Sequence, residues 1–193
     1  MHYGTLAPAN WFTIPESERA ARSQLSSDQC VIDGRHFFIV GNLEIPVLGS
    51  DQTFSWGVWV SLSEENFARA SKLGHTPGRE AEPPYFGWLS SSLCVYPETV
   101  HLKTRVHTRP VGVRPLIELE PTQHPLAVEQ RNGITWQRVQ EIAELVLHGP
   151  SCQYTPLAKV WSRGANRLSY GMLIGGLALA ALVLGLMGTK SNV

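Results

Sequence analysis

Apolar and polar residues alternate strictly between Phe54 and Leu62. Phe54, Trp56, Val58, Val60 and Leu62 share one side, and Ser55, Gly57, Trp59 and Ser61 the other. A period of two sustained over that length predicts a strand with one buried face. Upstream, Cys30–Ile32 and His36–Val40 flank Asp33 and Gly34, a dipeptide that favours a two-residue hairpin. Glu16 to Leu25 reads as a short helix opened by Pro15, whose fixed φ suits the first helical position. After the long strand, Ser61 or Ser63 caps a helix reaching about Leu73. Glu64 and Glu65 stand in its first turn, where the helix dipole favours carboxylates. Gly74 to Pro84 is a polar loop. Tyr85–Leu89, His101–Arg109 and Leu116–Glu120 are three further strands, the last two joined by a turn rich in Pro and Gly. Pro125 opens a short helix that stops at Asn132 and Gly133. Ile134 to His148 carries the clearest helical period, with Val139, Ile142, Ala143 and Val146 on one face and Gln137, Arg138, Glu141 and Glu144 elsewhere. Strands with helices interspersed predict an α+β domain over residues 1–148, a mainly antiparallel sheet with a few packed helices.

A different pattern follows. Residues 149–167 form a basic tether, and Leu168 to Met187 are 20 uncharged residues, seven of them Leu. As a helix the run would be about 30 Å long, the thickness of a bilayer's hydrocarbon core. Its Leu, Ile and Val side chains favour insertion by about 3–5 kcal/mol together. The expectation is one C-terminal transmembrane helix over 168–188, followed by a short tail, 189–193. Gly171 and Gly175 have the spacing that lets two such helices approach closely, which makes homodimerisation through that face a candidate.

Charge sharpens the division. The chain has 193 residues with 16 basic and 16 acidic side chains. Residues 1–144 hold 12 basic and 16 acidic residues, whereas 145–193 hold four basic and none acidic. Lys159, Arg163 and Arg167 precede the apolar run, so the positive-inside bias puts the N-terminal domain in the cytoplasm of a single-pass membrane protein. No signal peptide is read near Met1. An overall balance of charge argues against nucleic acid as a partner. Cys30, Cys94 and Cys152 are too few and too scattered for a zinc ribbon or a dense disulfide framework, and their sparse use suits a reducing compartment. Cys30 reads as a small buried hydrophobe.

Candidate chemistry is thin. His101, Lys103, Arg105, His107 and Arg109 occupy every second position, so in a strand all five would share a face. They form either a cationic strip for a phosphate or carboxylate ligand or a solvated face balanced by Glu118 and Glu120 on the next strand. Trp59 points away from Trp56 and is the better groove candidate among the aromatics. His36, His75 and His124 lack metal-ligand spacing to any Asp, Glu or Cys, and GxSxG, HExxH and Walker-type loops are absent from the sequence. No catalytic residue, metal or cofactor is therefore assigned.

Several strings together are distinctive. They are Phe12–Arg19 (FTIPESER), Leu25–Phe38 (LSSDQCVIDGRHFF), Leu43–Val47 (LEIPV), Phe54–Phe67 (FSWGVWVSLSEENF), Pro84–Leu89 (PYFGWL) and Pro115–Glu144 (PLIELEPTQHPLAVEQRNGITWQRVQEIAE). Over about residues 8–148 the chain resembles the bacterial family called domain of unknown function 2199. The resemblance implies a compact bacterial domain with no assigned biochemical role. Family members commonly begin with a short cysteine-pair segment of zinc-ribbon type. The chain starts after the place of that segment, and its C-terminal anchor is an addition to the family pattern. Two functions remain in view. One is a membrane-tethered binding or regulatory interaction module with an unknown protein partner. The other is an enzyme acting on an anionic substrate near the membrane through the His101–Arg109 face.

Overall fold

A computed structural model of the protein describes residues 2–148. Its centre is a long antiparallel hairpin-like pair, β4 (His36–Pro46) and β5 (Thr53–Leu62), in register from Phe37↔Leu62 to Pro46↔Thr53. Each long strand shares its free edge between two short partners. Along β4, β3 (Gln29–Ile32) pairs with residues 36–39 and β8 (Leu116–Leu119) meets Asn42 through Leu116. Along β5, β1 (His2–Gly4) runs parallel to residues 55–57, and β6 (Tyr85–Leu89) takes over at Val60 and Ser61. β7 (Lys103–His107) joins β6 to β8, and β2 (Ser23–Leu25) lies outside β3.

These pairings correct the fold expected from the sequence. The ring β4-β5-β6-β7-β8 returns to β4, so the sheet closes into a five-stranded barrel; the mainly antiparallel pairing and the few packed helices fit the expected α+β class only in part. Strands that alternate in direction around an odd-numbered ring must meet in one parallel pair, and β4–β8 is that pair. No helix among the described residues is long and apolar enough to cross a membrane. The segment expected to do so, 168–188, lies outside the described residues, as do the tether 149–167, the tail 189–193 and the Gly171–Gly175 face.

The two seams are narrow, and glycine makes both possible. At Gly41 an added Cβ would lie 2.5 Å from Ile117 Cδ1 and 2.9 Å from the Pro115 carbonyl, across the β4–β8 seam. Gly87 holds the corresponding place where β6 meets β5. The sparsely paired backbone of β8 is completed by a side chain. Gln130 accepts from Leu119 N–H (2.8 Å) and donates to the Ile117 carbonyl (2.7 Å).

The barrel interior is the main core. Leu43, Ile45, Phe54, Trp56, Val58, Val60, Leu89, Val106 and Ile117 are essentially inaccessible. α4 (Pro125–Asn132) and α5 (Trp136–His148) add Leu126, Ala127, Val139, Ile142 and Val146 to it. α3 (Glu64–Lys72) is capped by Ser63, which accepts from Asn66 N–H, and Phe67 packs on Phe37 with ring centroids 5.1 Å apart. A second, smaller core lies outside the barrel. There Cys30, Ile32, Phe38, Val40 and Trp59 pack with Ile14, which lies between α1 (Ala9–Phe12) and α2 (Glu16–Arg22), and with Trp11 of α1. Burial pushes the Cys30 thiol up to about 11, which keeps it protonated, as befits a small hydrophobe.

Local expectations fare unevenly. The predicted first helix stops at Arg22, and Ser23–Leu25 joins the sheet because β3 offers a free edge. The Asp33–Gly34 turn forms with positive φ at both residues, but Ile32 pairs with His36, so the loop is three residues long. β4 continues six residues past Val40, because its neighbour β5 is long enough to pair with all of it.

Among the buried polar atoms left without a partner is the Thr104 hydroxyl: Thr104 is fully buried, and its hydroxyl has no hydrogen-bond partner among the described residues. Thr104→Val keeps the shape and removes an unsatisfied polar atom, so it is expected to stabilise by about 1 kcal/mol. In thermal unfolding that is a rise in Tm of about 2–4 °C. A fall in Tm would show that the hydroxyl is satisfied in solution.

Candidate functional site

The cationic strip divides on inspection. Lys103, Arg105 and His107 do alternate with buried Thr104 and Val106, so they lie on the outer face of the barrel. They are not left free there. Arg105 stands between Phe86 and Glu118 on the neighbouring strands, and His107 Nε2 is 2.8 Å from Glu118 Oε2. Lys103 lies opposite Trp88, its ammonium 5.9 Å from the ring centroid. Arg109 forms a two-pronged pair with Glu44 at 2.6 and 2.9 Å, which raises the guanidinium's pKa. His101 lies before β7, in a turn with φ +70°, and its N–H donates to the Leu89 carbonyl. The strip is thus an open sheet face with partners rather than a concave site. Trp59 is 2 % exposed, at the centre of the outer core, with Nε1 donating to the Thr5 carbonyl at 3.1 Å. It is covered there by Ile14, Trp11 of α1 and the side chains of β3 and β4 rather than left open to a groove.

A concave site lies at one mouth of the barrel. A cavity of about 560 Å³ opens there between the β2–β3 turn, the C-terminal end of α3, and the β7–β8 loop. Its floor is apolar, with Ile39, Tyr85 and Val106 from the barrel's end, and Leu73, Val111 and Val113 line its walls. The volume falls in the range of small-molecule sites, and barrel mouths are a favoured place for them.

Three side-chain clamps tie the walls together in a circuit. Gln29 Nε2 donates to Ser71 Oγ at 2.8 Å, joining β3 to α3. Arg114 joins the β7–β8 loop to the β2–β3 turn, donating to Asp28 Oδ1 and to the Ser27 carbonyl, both at 3.2 Å. Arg79 closes the circuit. It donates to the carbonyls of Gly74 (2.9 Å), Arg109 (2.7 Å), Pro110 (3.2 Å) and Val113 (2.9 Å). The loop after α3 is thereby bound to the β7–β8 loop. Gly78, at φ +83°, makes the turn that brings Arg79 to this position. A mouth held by such bonds is formed before any ligand arrives, which lowers the ordering entropy of binding.

Near the mouth, Tyr85 donates its hydroxyl to Glu82, which is also paired with Arg69. The Arg69 guanidinium holds the Glu82 carboxyl below its usual range. Among the described residues, no group of three His, Cys, Asp or Glu side chains is placed to hold a metal ion.

Little in the sequence announces this site. Its walls are loops and turn residues without periodicity, and Gly74 to Pro84 reads only as a polar connection. A single Arg after a glycine, inside a loop, was the one available signal. Residues 1–134 match the family described as "Uncharacterized protein conserved in bacteria (DUF2199)". No curated protein and no solved structure matches the chain.

Proposed function

The chain belongs to the DUF2199 family of uncharacterised bacterial proteins, and from that premise we propose that its barrel is a binding module that takes a small molecule into the mouth rather than an enzyme. The observation that carries this reading is the circuit of clamps around a cavity of about 560 Å³. Gln29, Arg79 and Arg114 spend donors on holding its walls, which suits recognition more than proton or group transfer. The outer strip offers less. Arg105, His107 and Arg109 stand against carboxylates across the sheet, and exposed pairs of that kind contribute little.

The test uses anilinonaphthalene sulfonate, an apolar fluorescent anion, and the full chain. The unsubstituted protein is expected to bind the dye with a rise in fluorescence. Val113→Trp and Ser71→Trp, which fill the mouth from two walls, are expected to weaken binding at least ten-fold while retaining the far-UV spectrum. Trp88→Ala, on the outer face, should leave binding unchanged. Equal binding by both filled variants, or loss only in Trp88→Ala, overturns the reading.

A further inference from the structure

We propose that the ligand of the mouth is a small organic anion, with an oxyanion head toward Arg79, Arg114 and His75 and an apolar body on the floor. This rests on the mouth being a binding site, and goes further by naming what fills it. The inference begins with an imbalance of charge. Arg22, Arg69, Arg109 and Arg138 each meet a carboxylate. Arg79 meets none among the described residues: its donors go to four main-chain carbonyls, which hold the guanidinium in place and leave its unit charge without an acid partner there. Arg114 shares one carboxylate, Asp28, at 3.2 Å, and that carboxylate's side chain is 60 % exposed. The lining therefore carries two guanidinium groups against one acid, with His75 beside them.

The shape supplies the other half of the argument. Ile39, Tyr85 and Val106 are almost fully buried beneath the cavity, so the groups a ligand meets at depth are apolar. A molecule that is charged throughout would leave that floor unused, and an entirely apolar one would leave the cationic field unanswered. A cation would meet two guanidinium groups, and like charges in a partly desolvated site repel. A chain or ring of modest size ending in a carboxylate or phosphate answers both halves.

The experiment is calorimetric titration of the full chain with octanoate, octyl phosphate, octylammonium and octanol, which share one apolar body. Octanoate or octyl phosphate is expected to bind at least ten-fold more tightly than octylammonium, with octanol between them, and the anion's advantage should shrink as salt is raised. The tighter of the two anions identifies the head. Arg114→Gln should weaken the anions about ten-fold and leave octanol unchanged; the comparison of heads on the unsubstituted protein stands even if that variant does not fold. If octanol or octylammonium binds as tightly as the anions, the charge inference fails while the mouth remains a binding site. If none of the four binds, both fail.

Discussion

Replacing Trp56 by alanine is expected to lower the unfolding free energy by about 3–5 kcal/mol, the range for a large aromatic removed from a core. The side chain is wholly inaccessible, at 0 % exposure, and sits among three other rings. Its centroid is 5.1 Å from Phe54 in an edge-on contact, 5.9 Å from Tyr3 and 6.3 Å from Tyr96. Tyr96 extends the effect beyond packing. Its hydroxyl donates to Glu129 of α4 at 2.5 Å, and Glu129 accepts from Arg138 of α5 at 2.9 Å. Burial, with the Glu129 carboxylate beside it, raises the pKa of the Tyr96 phenol and keeps it a donor. Trp56 thus supports the ring on which the two closing helices are fastened. Urea unfolding should show the loss as a lower midpoint with little change in slope. A loss below about 1 kcal/mol would mean that the interior collapses around the space, and that the barrel is less rigidly packed than its ring contacts imply.

The second large effect is expected at Gly87, where alanine should destabilise by about 3 kcal/mol, at the upper end for overpacking. A Cβ there would be driven onto Val60 and would lie 2.6 Å from the Ser61 carbonyl and 3.2 Å from Thr104 Oγ1. Val60 and Ser61 are the two residues through which β5 pairs with β6, so the clash falls on the seam that closes the ring. Relief requires β6 to withdraw, at the cost of that pairing. Trp88→Ala on the same strand is the control, since Trp88 faces outward and is 40 % exposed. If Gly87→Ala is no more destabilising than Trp88→Ala, the seam is looser than described.

These two residues also mark the boundary of what the chain reveals by pattern. Alternation from Phe54 to Leu62 separates correctly the side of β5 that faces the barrel interior, but the expected single buried face is not what forms, since Gly57 and Trp59 on the other side are buried too. It does not state which edges meet, because hydrogen bonding at an edge is made by backbone and leaves no periodic trace. Closure shows in the sequence only as Gly41 and Gly87, each an absence of side chain where two strands approach. Trp59 illustrates the same limit. Its direction, opposite to Trp56, was legible; the cover provided by Trp11, Ile14 and β3 was not, since it comes from residues distant along the chain.

The site was less legible than the fold. The alternation of Lys103, Arg105 and His107 was real, and Glu118 stands across from it as the balanced-face alternative has it; Glu44, which meets Arg109 from β4, left no such signal. His101 departs from the strip because its positive φ takes it out of the strand. The mouth, by contrast, is assembled from Gln29, Arg79 and Arg114, separated by 50 and 35 positions along the chain. Its clamps bind mostly to carbonyls, and a carbonyl acceptor has no signature among the letters.

The measurement that bears most directly on the mouth as the binding site is an amide chemical-shift map of the nitrogen-labelled full chain titrated with octanoate. The largest changes are expected on Ser26 to Gln29, Ser71 to His75 and Val111 to Arg114, the segments joined by the three clamps. Changes centred instead on Phe86, Trp88, Lys103 and Arg105, or a spectrum unmoved at saturating octanoate, would contradict it.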